Sequence, residues 1–165
     1  MASTAQEAHL PALGHHQRDE AGRELQATLV ELIDLSLIGK QLHWNIFGRP
    51  FKPLHEHLDE LVDSWRDLSD TIAERAVALG ISPEGQAAAV DEGSEIDPVD
   101  TGFLDTDTAT RELVQRLADA TERIRGRMER LGELDLASQD VLIEAIRELE
   151  KQQWMLRASL PAGAP

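Results

Sequence analysis

Several residue types are missing or scarce in this chain. It contains no cysteine, so disulfides and thiolate metal sites are excluded. The absence of disulfides fits a reducing compartment, and we expect a cytoplasmic protein. No apolar run approaches the roughly 18 residues of a membrane span, so we expect no membrane contact. The first residues lack a charged region followed by an apolar stretch, so no signal peptide is predicted. Aromatic residues make up only 4% of the chain, and tyrosine is absent.

Basic residues are also scarce, with 16 Lys and Arg against 31 Asp and Glu and a formal net charge of −15. The lysines are Lys40, Lys52 and Lys151, and none lies near either end. Because electrostatic capture of DNA needs clustered basic groups, DNA binding through the tails is not expected. A surface this acidic attracts cations instead.

Hydrophobic spacing of three to four residues predicts long helices over about 21–47, 53–79, 106–131 and 135–160. The Gly- and Pro-rich connection 81–104 is long, and we expect a short helix at about 86–90 within it. Four helices with short first and last links and one long crossover describe an all-α bundle of ferritin-like connectivity. We expect a flexible tail over 1–17, one domain over 18–160 and a short tail over 161–165.

Five residues form a candidate metal-ligand set: His43, His55, Asp59, Asp70 and Glu74. His55 and Asp59 share a helix face one turn apart, as do Asp70 and Glu74. Eleven residues separate Asp59 from Asp70, about 16 Å along a helix, so one straight helix cannot bring both pairs to one metal. Both pairs nevertheless lie on nearly the same face. A second copy, antiparallel across a twofold axis, would complete two equivalent sites.

A simpler alternative is that the acidic second helix only presents a solvated face, as such runs usually do. The two histidines, however, add nitrogen donors to carboxylates, a combination that suits Fe(II) or Mn(II) and admits Zn(II). His43, at the end of the first helix, can approach His55 and Asp59 across the short turn. The chain has no Glu-x-x-His, so a di-iron centre inside one bundle is not expected.

The stretches from Lys40 to Gly48, from Phe51 to Glu60 and from Asp70 to Ala76 resemble the Dps family, the ferritin-like proteins also called miniferritins. The spacing His-x11-His-x3-Asp-x10-Asp-x3-Glu matches the ferroxidase motif of that family, and the resemblance spans about 22–160. It implies a hollow homododecamer with di-iron sites shared between two chains. The implied reaction is oxidation of Fe(II), preferably by hydrogen peroxide and otherwise by oxygen, with storage of the ferric mineral.

The resemblance also suggests roles outside the five ligands. Trp44 resembles a tryptophan that gives up electrons beside the site, or else it is a packed aromatic, as we expect for Trp65 and Trp154. Asp140 aligns with an aspartate of the iron-entry pore. Asp135 and Glu144 either join that acidic funnel or serve as a helix cap and a solvated side chain. A second metal site among the tail histidines (His9, His15 and His16) also remains open.

Three functions follow from these observations. The first is an iron-oxidising and iron-storing enzyme, in which zinc or manganese could substitute for iron. The second is a nucleoid-associated DNA-binding protein with little ferroxidase activity, against which the acidic balance argues. The third is a purely structural helical assembly, which leaves the spacing of His43 and His55 unexplained.

Overall fold

The computed structural model describes residues 13–161, which form a bundle of four long helices. In chain order the elements are α1 (His15–Asn45), β1 (Ile46–Phe47), α2 (Phe51–Ala78), α3 (Ala87–Gly93), β2 (Leu104–Asp105), α4 (Thr106–Gly132) and α5 (Leu136–Ser159). The predicted all-α bundle with a short helix in its long crossover is confirmed.

Helix α1 begins at His15, earlier than the hydrophobic pattern predicts, so residues 15–17 are helical rather than part of a tail. Gly14 caps this end, where the side chain of Gln17 accepts a hydrogen bond from the Gly14 amide at 3.1 Å. His15 contacts Arg18 at 2.9 Å and His16 contacts Glu20 at 3.2 Å, so each histidine has its own partner on the helix. Residues 1–12 of the predicted tail, including His9, lie outside the described residues, as do residues 162–165.

Local sequence signals explain the other helix ends. Asp105 caps α4 by accepting hydrogen bonds from the amides of Asp107 and Thr108. Asp135 caps α5 through the amide of Ser138, which confirms the predicted cap. Gly80 follows α2 with φ of +79°, a conformation that glycine adopts without strain.

Two helical hairpins form the bundle, since α1 packs mainly on α2 and α4 mainly on α5. Buried aliphatic side chains from all four helices fill the core. Trp65 is fully buried and donates from Nε1 to Oε1 of Gln152 at 2.7 Å, which confirms its packing role. Trp154 is exposed in the single chain, so the packing expected for it is not formed within residues 13–161.

The long crossover from α2 to α4 is attached to the bundle by polar contacts. Gln26 exchanges two hydrogen bonds with the backbone of Glu84, at 2.7 and 2.9 Å. Arg116 donates to the carbonyls of Asp97 and Pro98 at 2.8 and 2.6 Å. β1 and β2 form a short parallel pair that joins the α1–α2 turn to the start of α4. No helix within 13–161 is long and apolar enough to cross a membrane.

Candidate metal centre

His43 and His55 meet where α1 ends and α2 begins. The turn 46–50 reverses the chain, which places the last turn of α1 beside the first turns of α2. The two imidazole rings stack with centroids 3.6 Å apart and planes 22° from parallel. The sequence-based expectation that His43 approaches His55 across this turn is therefore confirmed.

Reciprocal hydrogen bonds fix the orientation of both rings. Nδ1 of His43 lies 2.9 Å from the carbonyl oxygen of His55, and Nδ1 of His55 lies 3.0 Å from the carbonyl oxygen of His43. Because a carbonyl oxygen can only accept, each Nδ1 carries a hydrogen and donates it. The neutral ring then has its lone pair on Nε2, which is the atom that binds a metal.

Asp59, one turn after His55, adds a carboxylate to the two imidazoles. Its Oδ1 lies 3.3 Å from Nδ1 of His43 and is ion-paired with Lys40. The hydrogen bond from Lys40 lowers the pKa of Asp59 below its ordinary value, burial opposes this shift, and His43 adds a smaller lowering effect. The carboxylate is therefore ionised at neutral pH, as a ligand for a hard cation must be.

Asp70 and Glu74 are not brought to this group within one chain. Both are exposed on α2, which runs uninterrupted from Phe51 to Ala78, so Asp70 lies about 16 Å from Asp59 along the helix. Within 13–161 of a single chain, no three His, Asp or Glu side chains form a group that could hold a metal. One chain thus presents two separate half-sites on one face of α2.

Two contact residues near the half-site were missed from the sequence. Lys40 pairs with Asp59, and Phe51 stacks on His55 with ring centroids 5.0 Å apart. Lys40 precedes His43 by three residues, so its place on the same face of α1 could have been predicted from helical spacing. The contact of Phe51 depends on the path of the turn, which local spacing does not specify.

Trp44 and Asp140 occupy different surfaces. Trp44 is 67% exposed and lines a groove of about 900 Å³ together with Leu37, Lys40 and Arg66. Asp140 is exposed in α5 and lines a separate groove of about 950 Å³ between α2 and α5.

The two acidic residues grouped with Asp140 also have different surroundings. Glu144 is exposed in the groove that Asp140 lines. Asp135 caps α5, as its alternative role predicts. It is also ion-paired with Arg75 at 2.6 Å, a contact that was not predicted from the sequence.

Comparison with known proteins identifies a matching family and several relatives of this chain. Residues 22–162 match the family model described as a ferritin-like domain. The DNA protection during starvation protein of Mycolicibacterium smegmatis is 36% identical over 156 residues, which cover 93% of this chain and 84% of that protein. The fine tangled pili major subunit of Haemophilus ducreyi is 37% identical over 139 residues, or 84% of this chain and 74% of that protein.

Solved structures agree with the sequence comparison. The Mycobacterium smegmatis Dps structure superposes with a TM-score of 0.91 at 34% identity, covering 100% of this chain and 98% of that one. DpsA14 from Streptomyces coelicolor superposes with a TM-score of 0.89 at 33% identity, covering 94% of this chain and 93% of that one.

Proposed function

Since this chain belongs to the Dps family of ferritin-like proteins, we propose that it oxidises Fe(II) and stores the ferric product inside a hollow homododecamer. The observation that supports this most strongly is the pair of stacked imidazoles, His43 and His55, whose Nδ1 atoms are both occupied by backbone carbonyls. Neither Nε2 atom takes part in these bonds, so both would be free to bind iron together with the ionised carboxylate of Asp59.

A complete site on this proposal needs two chains. His43, His55 and Asp59 of one chain would bind iron together with the partner's Asp70 and the partner's Glu74. A twofold axis level with the midpoint between residues 64 and 65 sets His55 opposite the partner's Glu74 and Asp59 opposite the partner's Asp70. The same operation creates a second, equivalent site.

The proposed reaction uses Fe(II) as a substrate. Each of two Fe(II) ions gives one electron to hydrogen peroxide, which takes up two protons and leaves as two water molecules. Oxygen is the slower alternative oxidant, and zinc or manganese competes for the same ligands. Because iron and peroxide are consumed together, they cannot combine to form hydroxyl radicals.

Two further residues have proposed roles in this reaction. Trp44, exposed next to His43 in the chain, would give up electrons during the oxidation. Asp140, in the acidic groove lined by Asp67, Glu144 and Glu148, would belong to the path by which Fe(II) enters.

DNA binding is not part of the proposed function. The printed names of several relatives refer to DNA protection. In this chain, however, residues 1–12 and 162–165 contain neither lysine nor arginine, and the net charge is −15. Any protection of DNA would come from removing iron and peroxide, since strong phosphate contact needs clustered cations.

The test is Fe(II) oxidation by the purified protein, followed by near-ultraviolet absorbance with peroxide and then with oxygen. The His43→Ala/His55→Ala variant is expected to lose fast oxidation. His57→Ala is the matched control, because His57 lies on the same helix and contacts Glu60 instead, at 3.2 Å. Native mass is measured in parallel, since twelve chains of 18.3 kDa give about 220 kDa. Equal oxidation by all three proteins would contradict the proposal.

A further inference from the structure

The face of α2 between the two half-sites carries one acid and one base. Asp63 and Arg66 lie four and seven residues after Asp59, and Asp70 follows at eleven. At about 100° per residue, these four positions form one stripe along the helix. The stripe that presents the proposed ligands therefore also presents an exposed pair of opposite charges.

Within one chain this pair is weakly satisfied. Nη1 of Arg66 lies 3.9 Å from Oδ1 of Asp63, and the two side chains are 56% and 78% exposed. Neither residue makes a closer ion pair with another residue of 13–161. Such exposed pairs contribute little to stability, so the contact within the chain does not account for the two charges.

The symmetry of the proposed site gives them a better partner. The twofold axis that sets Asp59 opposite the partner's Asp70 also sets Asp63 opposite the partner's Arg66, and Arg66 opposite the partner's Asp63. We propose that these two symmetric ion pairs, formed between two copies of this chain, fix the register of the α2 helices and so complete the metal sites. The inference rests on the shared site described above.

Neighbouring registers would be repulsive. Sliding the two helices by three residues in one direction would place Asp63 against the partner's Asp63. Sliding them equally in the other direction would place Arg66 against the partner's Arg66. Charge pairs at an interface mainly reject wrong arrangements, and here they would reject both nearest registers on this face.

Apolar side chains beside the stripe support an interface on this face. Leu37 and Trp44 of α1 are largely exposed and line one groove together with Arg66. Large exposed apolar side chains around a polar stripe mark a surface that binds another protein. The opposite charges at Asp63 and Arg66 make this surface complementary to itself across a twofold axis, so the occupant is a second copy of the chain.

Charge reversal in trans tests the inference. In the single variants Asp63→Arg and Arg66→Asp, like charges would face each other across the axis. We therefore expect the dimerisation affinity and the rate of iron oxidation to fall at least about tenfold. Co-expression of the two variants, with different affinity tags, gives mixed assemblies with opposite charges at both contacts. We expect these assemblies to recover native mass and oxidation, although each chain still has like charges at positions 63 and 66.

The double reversal within one chain, Asp63→Arg/Arg66→Asp, keeps the net charge and is the matched control, expected to behave as wild type. Recovery by this control but not by the mixed assembly would show that the pair acts within one chain and would overturn the inference. Single variants that assemble and oxidise normally would overturn it as well. Native mass tests the register contact even if the wild type oxidises no iron, so the two proposals fail separately.

Discussion

Replacing Glu31 with methionine should strongly destabilise the fold, because Glu31 neutralises two arginines inside the bundle. Glu31 is 0% exposed in α1. Its Oε2 accepts from Nη1 of Arg127 in α4 at 2.6 Å, and its Oε1 accepts from Nε of Arg123. Arg127 is itself almost fully buried. The variant would leave that guanidinium in the core with only a long contact of 3.8 Å to the exposed Glu95.

The magnitude follows from the burial of both partners. Removing one member of a buried ion pair costs about 3–5 kcal/mol, which is a large share of the roughly 5–15 kcal/mol that stabilises a domain. Replacing every charged residue of a buried ion-pair group with an apolar side chain leaves the stability about unchanged or raises it, because the desolvation cost disappears with the charges. Nη2 of Arg123 is buried without a hydrogen-bond partner, which adds to the cost of keeping the arginines.

Equilibrium urea unfolding, followed by circular dichroism at one fixed subunit concentration, measures these differences, since assembly adds stability by mass action. Glu31→Met should cost about 3–5 kcal/mol, and adding Arg123→Met and Arg127→Met should recover most of it. Glu24→Met is the matched control, because Glu24 pairs with the exposed Arg130, and it should cost about 1 kcal/mol or less. A triple variant as unstable as Glu31→Met alone would refute the reasoning.

Two further predictions concern helix packing and acid stability. Gly39→Ala should cost about 1–3 kcal/mol in urea unfolding, because an added Cβ would lie 2.7 Å from Cζ3 of Trp65; an unchanged midpoint would show that α1 and α2 can separate. Burial raises the pKa of Asp135, but hydrogen bonds from Ser138 and Arg75 lower it further, so the net pKa lies below its ordinary value. The stability that Asp135 contributes is therefore complete above the unfolded pKa of about 3.9 and is lost as pH falls through the folded pKa. Asp135→Asn should flatten the loss of stability below about pH 4, and parallel acid-unfolding curves would contradict this.

Local patterns in the sequence determined the helices. Hydrophobic spacing and the Gly and Pro breakers between the helices predict their order and most of their ends, because these signals act within a few residues. The start of α1 was placed too late, since residues 15–20 contain no apolar side chain that would reveal a helix. The β1–β2 pair could not be predicted, because a two-residue strand has no alternating pattern and depends on a distant partner.

The candidate site divides in the same way. The rise and turn of a helix were enough to separate His55 and Asp59 from Asp70 and Glu74 into two half-sites on one face. Only the tertiary structure decided that His43 and His55 stack and bond each other's carbonyls, because this depends on how the turn 46–50 folds back. Contacts between helices, such as that of Lys40 with Asp59, likewise require the packed bundle, since each helix alone fixes only which residues share its face.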